Sequence, residues 1–259
     1  MTNDVRAAIR ERYGTALLAC EDLAALDRDI RAAHPISAKG GGRLAVVFLH
    51  AKARKTFGAI LLVAREGYGE DAMILARSLT NLCIDLAYLT AADTPERVRV
   101  WLASARIQLR RWATSLGRTL QADTVNWGEE EELAKKWLNL ADRAARSDTQ
   151  NFYNLAYRHG SIYEHSDAAS FESFLAVTAR GFIASSGPSD TMVSEVVTIA
   201  STAFADVVTR WAAFFKIDLG DARVRMENIV KTALASLPDT DKVPPVVLPG
   251  DELDGPAEG

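Results

Sequence analysis

The amino-acid sequence predicts an all-α protein, a helical bundle of about eight helices. Apolar residues recur at the helical period in long segments along most of the chain, whereas the alternating pattern of half-buried strands is rare. Short stretches rich in glycine, proline and polar residues separate these segments. The composition, 48% hydrophobic and 25% charged, is ordinary for a globular protein that buries a sizeable core.

The first three helices follow from clear periods and clear breaks. The first covers about residues 4–33, and its apolar stripe includes Ile9, Tyr13, Leu17, Cys20 and Leu23. Pro35 and the three glycines at 40–42 end it, and the second helix covers about residues 44–66. A connection of three residues, 67–69, leads to a third helix over about 70–91. So short a connection favours antiparallel neighbours.

Five further helices are predicted, followed by a tail. The fourth, within residues 93–120, opens with Thr94 as N-cap and Pro95 at the first helical position. The others are expected over 129–147, 149–165, 187–216 and 219–237. Residues 238–259 are acidic and proline-rich without a helical period, which is typical of disorder. We therefore expect one helical domain over 1–237 and a disordered tail over 238–259.

Charge, cysteine content and hydropathy exclude several classes of protein. The net charge of −4 lies mostly in the tail, and the nearly neutral remainder neither indicates nor excludes nucleic-acid binding. Cys20 and Cys83 are too few for a disulfide framework or a zinc cluster. The N-terminus lacks the apolar core of a signal peptide, and no run approaches the roughly 18 apolar residues of a membrane span. We expect a cytoplasmic protein without membrane association.

A polar stripe runs along the apolar third helix. Arg77, Asn81, Asp85 and Tyr88 follow one another at spacings of four, four and three, so they share one face. Inside a bundle this stripe would need polar partners, because buried polar groups without hydrogen bonds are destabilising. The alternative is a face turned to solvent. The spacing leaves both interpretations open.

The sixth helix carries an unusual cluster of polar residues. In a regular helix Arg158, Ser161 and His165 share one face, with Arg158 and His165 about 10 Å apart along the axis. Tyr157 borders this face, and His159 points elsewhere. The two histidines therefore lack the i, i+4 spacing of a helical zinc site, so no metal is expected.

Arg158 and His165 together suit phosphodiester chemistry. A histidine that titrates near neutrality can accept a proton from a ribose 2′-hydroxyl or protonate a leaving 5′-oxygen, and an arginine can hold the phosphate. The alternative is a structural role, with His165 bonded to Ser161 or to a backbone carbonyl and Arg158 paired with the third helix. Gly160 would allow a bend that separates these side chains, or a close helix contact. A serine hydrolase is not supported, because the chain lacks the G-x-S-x-G elbow.

Two segments resemble a bacterial family labelled domain of unknown function 5677, over about residues 44–175. "EGYGEDAMILARSLTNLCIDLAYL" is similar to its G-x-x-x-D-A-x-x-L-x-R-S-L-x-E element. "YRHGSIYEHSDA" is similar to its Y-x-x-x-S-x-x-x-H element, through Tyr157, Ser161 and His165. Where the family pattern has an acid four residues after the arginine, this chain has Asn81.

More distantly, both segments resemble the HEPN superfamily (higher eukaryotes and prokaryotes nucleotide-binding) of small helical domains that often dimerise. Arg158, His159 and His165 fit its arginine–polar–histidine motif. The resemblance implies a HEPN-like core and a metal-independent endoribonuclease, with no cofactor, in a toxin–antitoxin or phage-defence setting. The implied catalytic residues are Arg158, His165, Ser161 and Tyr157. The residues implied to bind substrate or to support catalysis are Arg77, Asn81 and His159.

The resemblance further implies RNA, an antitoxin or another protein, and a second copy of the chain as partners. The fourth helix offers RNA a charged and aromatic surface through Arg106, Arg110, Arg111, Arg118, Trp101 and Trp112. That helix can equally be a solvated basic face whose tryptophans lie in the core. The alternative function is a non-catalytic bundle that binds a protein or a nucleotide, in which the Arg/His cluster is a structural hydrogen-bond network.

Overall fold

The computed structural model describes residues 2–37, 39–119, 125–157, 175–178, 181–184 and 187–238. Its elements in chain order are the helices α1 (Thr2–Ala33), α2 (Gly41–Arg65), α3 (Gly69–Ala91), α4 (Thr94–Ser115), α5 (Trp127–Ala134), α6 (Leu140–Ala145) and α7 (Gln150–Phe152), the π-helical turn Tyr153–Tyr157, the strands β1 (Leu175–Thr178) and β2 (Gly181–Ala184), and the helices α8 (Val193–Phe215) and α9 (Gly220–Ala235). The all-α bundle predicted from periodicity is confirmed, and α1–α4, α8 and α9 match six of the predicted helices.

Helix α3 lies at the centre of the bundle. It packs against α2 on one side and α8 on another, while α1 packs mainly against α9. The side chains of Phe57 on α2 and Phe204 on α8 stack with ring centroids 4.3 Å apart, and both are almost fully buried. Among the described helices, α3 alone is long and apolar enough to cross a membrane, but 67% of that window is buried inside the bundle. Its apolar character therefore fits a central core helix.

The junction between α2 and α3 requires glycine at two positions. Gly67 has a φ of +84°, and a Cβ there would lie 2.8 Å from the Cβ of Pro188. A Cβ on Gly69 would lie 1.9 Å from the carbonyl oxygen of Thr191. The amide of Ser189 donates a hydrogen bond of 2.7 Å to the carbonyl oxygen of Gly67. The absence of side chains at both glycines thus lets the segment before α8 lie directly on this turn.

The predicted fifth helix is wrong as a single element, because the chain folds there into α5 and α6. The side-chain oxygen of Asn139 accepts a hydrogen bond of 2.9 Å from the amide of Asp142, and so caps a new helix start. Trp137, in the connection, packs edge-on against Tyr88 of α3 with ring centroids 5.6 Å apart. A tertiary contact and a local cap therefore interrupt a segment whose period is helical.

Three further predictions need correction. Asp93 rather than Thr94 occupies the N-cap position of α4, with a φ of 43°, although Pro95 lies at the helix start as expected. The predicted sixth helix is a short α-helix followed by a π-helical turn as far as Tyr157, so the angles of a regular helix do not apply there. Strands β1 and β2 form an antiparallel hairpin, with Leu175 opposite Ala184, that the periodicity did not indicate.

The predicted disordered tail lies outside the described residues except for Pro238.

Candidate functional site

The polar stripe of α3 faces the bundle and not the solvent. Arg77, Asn81 and Asp85 are partly buried, and Tyr88 is buried. This face of α3 meets α6 and the π-helical turn. Of the two interpretations of the stripe, the one that places it inside with polar partners is confirmed, and the solvent-facing one is wrong.

Arg77 and Tyr157 join the two segments that carry the family resemblance. The Nη2 atom of Arg77 donates a hydrogen bond of 2.8 Å to the hydroxyl of Tyr157, and its guanidinium carbon lies 4.3 Å from the centroid of the same ring. Tyr153 stacks on Tyr157 with ring centroids 5.4 Å apart. These contacts hold Tyr157, the residue before Arg158 in the sequence, against α3.

An ion pair between Asp85 and Arg143 lies further along the same stripe. The Oδ1 atom of Asp85 is 2.8 Å from the Nε atom of Arg143, and the two side chains are only 14% and 8% exposed. At this distance the opposite charges attract each other and join α3 to α6. Burial outweighs the attraction of Arg143 and raises the pKa of Asp85 to about 6.

Arg143 is a residue of this cluster that the sequence did not point to. It lies within the predicted fifth helix, where an arginine normally faces solvent. In addition to its ion pair with Asp85, Arg143 donates a hydrogen bond to the carbonyl oxygen of Leu138. Its guanidinium carbon lies 4.4 Å from the centroid of the Trp137 ring. Because the chain breaks between α5 and α6, the Arg143 side chain faces α3.

Asn81 occupies the position between the two pairs. It lies one helical turn from Arg77 and one from Asp85. Its Oδ1 atom is buried and has no hydrogen-bond partner among the described residues. A buried amide oxygen without a donor is destabilising by about 1–3 kcal/mol. In the described part of the chain Asn81 thus places a hydrogen-bond acceptor between the contact of Arg77 with Tyr157 and the pair of Asp85 with Arg143.

The remaining predicted site residues lie outside the described residues; they are Arg158, His159, Ser161 and His165. Their common face stays a prediction. In the described part of the chain Arg77 bonds to Tyr157, and Asn81 lies one helical turn from Arg77 on the same face of α3; the roles predicted for these residues stay predictions. Among the described residues no group of three or more histidine, cysteine, aspartate or glutamate side chains is arranged to hold a metal ion.

A second buried polar cluster, centred on Asp27, joins α1, α2 and α8. The Oδ1 atom of Asp27 accepts a hydrogen bond of 2.8 Å from Nε2 of His50, and its Oδ2 atom lies 2.8 Å from Nε of Arg54 and 3.2 Å from Nε of Arg31. Burial alone would raise the pKa of Asp27, but the bond from His50 and the nearby cations bring it below its ordinary value. The His50 ring stacks on Trp211 with centroids 4.6 Å apart.

Sequence reasoning missed this cluster, although a signal for it exists. Asp27 follows Leu23 by four residues, so an acid lies directly on the apolar stripe of α1. An acid on such a stripe needs buried partners, and His50 is the matching residue on α2. Both side chains are almost fully buried.

The two cysteines are free, buried and poorly suited to nucleophilic chemistry. Burial raises the pKa of the Cys20 thiol to about 12. Burial raises the pKa of the Cys83 thiol well above its ordinary value, and the neighbouring carboxylate of Asp206 adds to the effect. Both thiols are therefore protonated at neutral pH, and a thiolate nucleophile is not available from them.

Helix α4 agrees only in part with each of its two interpretations, a charged and aromatic surface for RNA or a solvated basic face with its tryptophans in the core. Arg106 forms a bidentate pair with Glu130 of α5, at 2.9 and 2.7 Å, and Arg110 lies 3.4 Å from Glu131. Trp101 is partly buried, whereas Trp112 is 58% exposed. Acids of α5 thus offset part of the basic face, and only one of the two tryptophans is free to stack on a ligand.

Comparison with known families identifies the region that contains this site. The model of a family described as Family of unknown function (DUF5677) matches residues 43–182. The chain belongs to this family. The match runs from α2 into β2, so it includes the α3 stripe and Tyr157. Comparisons with curated proteins and with solved structures found no match. The membership predicted from the two motifs is confirmed, and the HEPN relationship stays a prediction.

Proposed function

We propose that this member of the DUF5677 family is a metal-independent endoribonuclease of the HEPN type. The observation that supports it best is the bond between Arg77 and Tyr157, because it brings the arginine of the first motif to the residue that opens the second. Arg77 is partly buried there, and a partly buried arginine next to a catalytic segment is well suited to attract a phosphate.

The proposed reaction is internal transesterification of RNA. His165 takes the proton from a ribose 2′-hydroxyl, and that oxygen forms a bond to phosphorus as the bond from phosphorus to the 5′-oxygen breaks. The protonated His165, directly or through a water molecule, gives a proton to the leaving 5′-oxygen. Arg158 stabilises the negative charge that develops on the phosphoryl oxygens. Ser161 and Tyr157 orient this pair, while Arg77, Asn81 and His159 support it or contact the phosphate. The products are a 2′,3′-cyclic phosphate and a free 5′-hydroxyl.

The biological setting belongs to the same proposal. A nuclease of this type acts in the cytoplasm on cellular or phage RNA, as a homodimer, and is held inactive by an antitoxin or another protein until needed. The proposed cleavage reaction requires neither a metal ion nor a cofactor.

The decisive experiment measures cleavage of labelled tRNA and mRNA by the purified protein in excess EDTA. We expect cyclic phosphate ends, with the rate reduced about 10²–10⁴-fold in His165→Ala and Arg158→Ala variants of unchanged thermal stability. No cleavage by the wild-type protein on any RNA tested would overturn the proposal, as would cleavage that both variants retain.

A matched pair of variants tests the part played by the described geometry. Tyr157→Phe removes the hydroxyl that accepts the bond from Arg77 but keeps the stacked ring. Tyr153→Phe makes the same chemical change on the other ring of the stack. We expect the first variant to lower the cleavage rate and the second to leave it unchanged.

A second candidate is a non-catalytic bundle that binds a protein or a nucleotide. The buried pair of Asp85 and Arg143 favours it, because this pair joins α3 to α6 on the same face of α3 as Arg77 and Asn81. In that case Arg77 and Tyr157 also hold helices together. The RNA experiment separates the two candidates: the second requires inactive wild-type protein and a marked loss of thermal stability in Arg77→Ala.

A further inference from the structure

The Asp27 cluster holds more positive than negative charge. The Oδ2 atom of Asp27 lies 2.8 Å from Nε of Arg54 and 3.2 Å from Nε of Arg31, so two guanidinium groups share one carboxylate oxygen. The other oxygen, Oδ1, accepts the hydrogen bond from His50. One carboxylate therefore faces two arginines and neutralises only one of their two charges.

Arg28 adds a third positive charge beside this pair. It precedes Arg31 by three residues, so the two side chains share one face of α1. Arg28 is exposed, and it has no ion pair or hydrogen bond among the described residues. Burial lowers the pKa of Arg54 below its ordinary value, and repulsion from Arg31 and Arg28 acts in the same direction, against the attraction of Asp27. Both arginines of α1 therefore lie close enough to repel Arg54.

The arginines of the cluster reach solvent, while the acid between them does not. The side chain of Asp27 is only 1% exposed, whereas those of Arg31 and Arg54 are 28% and 35% exposed. Each of these arginines meets Asp27 through its Nε atom and has four further N–H donors on its Nη atoms. In the described part of the chain neither arginine pairs with any residue other than Asp27. The buried acid thus orients two arginine forks whose outer donors remain available to a ligand.

Other acids near the cluster do not offset its charge. Asp22 and Asp29 face another side of α1, because they lie about 100–180° from the arginines of that helix on a helical wheel. Glu21 is paired with Arg65 of α2. The three arginines and Asp27 together therefore leave about two positive charges at the outer surface between α1 and α2.

We propose that Arg28, Arg31 and Arg54 bind the phosphate group of a phosphate monoester, supplied either by a nucleotide 5′-monophosphate or by the 5′-phosphate end of an RNA. A phosphate monoester carries a charge of about −1.5 to −2 at neutral pH, which matches the surplus charge of the cluster. Arginine forks bind phosphate oxygens in pairs. A phosphodiester backbone instead needs cations spread along the strand, whereas these three converge on one point.

This phosphate site is separate from the α3 stripe. On a helical wheel of α2, Arg54 lies about 160° from Lys52, whose charge acts on Asp85 of the stripe. Three of the four residues that form the site belong to α1, which precedes the region matched by the family model. The site therefore joins α1 to the family region, and it does not depend on the proposed RNA cleavage.

Isothermal titration calorimetry with adenosine 5′-monophosphate (AMP) tests the site, in a buffer of low ionic strength without phosphate or sulfate. We expect the full-length protein to bind AMP saturably and not to bind adenosine, which has the same base and sugar without the phosphate. Arg28→Ala should weaken AMP binding at least about tenfold, because it removes a charge-assisted hydrogen bond to the phosphate. Since Arg28 has no partner among the described residues, the melting temperature should not change.

Arg10→Ala is the matched control for this variant. Arg10 is also an exposed arginine of α1 without a partner in the described part of the chain, but it lies outside the cluster. We expect Arg10→Ala to bind AMP like the wild type. The control thus separates a specific site from general attraction between the protein and an anion.

A second variant tests the part played by the oriented arginine forks. Arg54→Lys keeps a positive charge near Asp27 but replaces the planar fork with a point charge. AMP should raise the melting temperature of the wild type, because it binds the folded state, and it should raise that of Arg54→Lys less. The comparison uses the shift caused by AMP, so a lower starting stability of the variant does not affect it.

A short 2′-O-methyl RNA distinguishes the two sources of the phosphate. It lacks the 2′-hydroxyl that the proposed cleavage requires, so it stays intact even if the protein is a nuclease. Fluorescence anisotropy compares the 5′-phosphorylated strand with the same strand carrying a 5′-hydroxyl. Tighter binding of the phosphorylated strand supports the site with an RNA end as ligand. Equal binding of both strands, with AMP bound as expected, supports it with a free nucleotide as ligand.

Two outcomes overturn the proposal. One is a wild-type protein that binds neither AMP nor the phosphorylated strand more tightly than the matching molecule without the phosphate. The other is AMP binding that Arg28→Ala leaves intact, or that Arg28→Ala and Arg10→Ala weaken to the same extent. Neither outcome bears on RNA cleavage, so failure of this site and failure of the proposed function are distinguishable.

Discussion

At the scale of single residues, buried charges are stable here only because other charges or donors face them. Asp85 and Arg143 face each other across α3 and α6, and Asp27 is surrounded by His50, Arg31 and Arg54. Removing water from a charge is costly, and the opposite charge compensates only while it is present. Loss of one member should therefore matter more than loss of both.

Replacing one member of the α3–α6 ion pair tests this statement. Asp85→Asn leaves Arg143 buried without a counter-ion, and we expect a loss of about 3–5 kcal/mol in the free energy of unfolding, measured with urea. The double variant Asp85→Leu/Arg143→Met should recover most of this loss. Arg223→Ala, which removes an exposed pair with Glu227, is the control and should change stability by about 0.5 kcal/mol or less. Equal losses in the single and double variants would contradict this account.

The Asp27 cluster predicts a dependence of stability on pH. The folded pKa of Asp27 lies below its unfolded value of about 3.9. Its stabilising contribution is therefore complete above that unfolded value and is lost as the pH falls through the folded pKa. We expect thermal unfolding at acid pH to be less pH-dependent in Asp27→Asn than in the wild type. Asp29→Asn, a change at an exposed neighbour, is the control. An equal fall in melting temperature with decreasing pH in all three proteins would exclude this role for Asp27.

At the scale of elements, the glycine of the first family motif has a structural explanation. Gly67, the first residue of that motif, has a left-handed φ of +84° and lies beneath Pro188. Gly69 begins α3 at the closest approach of the segment before α8. The turn between α2 and α3 therefore sets how α8 meets α3, and with it the position of the polar stripe.

Two glycine replacements should have opposite effects on stability. Gly69→Ala forces a Cβ to within 1.9 Å of the Thr191 carbonyl oxygen, so the backbone must shift, and we expect a loss of more than 1 kcal/mol. Gly58→Ala, within α2, meets nothing within 4 Å and should raise stability by about 0.5–1 kcal/mol. Calorimetric melting of both variants measures the difference, and a stabilised Gly69→Ala would contradict the close approach.

At the scale of the whole molecule, the core is one continuous cluster centred on α3. Phe57 and Phe204 connect α2 and α8 beside it, and both are 0–1% exposed. The last side chain packed against this cluster in the described part of the chain is that of Leu237. Stability should therefore depend strongly on the stacked pair of Phe57 and Phe204.

Truncation of the stacked pair measures how tightly the bundle is packed. We expect Phe57→Ala to lower the free energy of unfolding by about 3–5 kcal/mol, because the cavity lies between two helices that cannot close it fully. Leu62→Ala, on the exposed side of the same helix, should have little effect. Urea unfolding measures the free energy of unfolding of both variants. A loss below about 1 kcal/mol for Phe57→Ala would show a loosely packed core.

Deletion of residues 239–259 tests the predicted tail. The sequence predicts disorder there, because the segment is acidic and rich in proline and has no helical period. We expect the shortened protein to keep its helical circular dichroism and its melting temperature. A clear fall in melting temperature would show that the tail packs against the bundle.

The sequence by itself determined the long helices and the family. Helices α1–α4, α8 and α9 could be placed because each repeats its apolar residues at the helical period over many turns, with a break of glycine, proline or polar residues between most neighbours. The two motifs that indicated the DUF5677 family are local patterns, and local patterns are visible without a fold.

Only the tertiary structure decided where the polar groups of these helices lie. Burial of the α3 stripe, the inward turn of Arg143 and the partnership of Asp27 with His50 each join residues that are far apart in the sequence. Periodicity describes one helix at a time, so it shows which residues share a face but not what that face meets. The break between α5 and α6 has the same origin, because the contact of Trp137 with Tyr88 competes with continued helix and is formed only in the folded bundle.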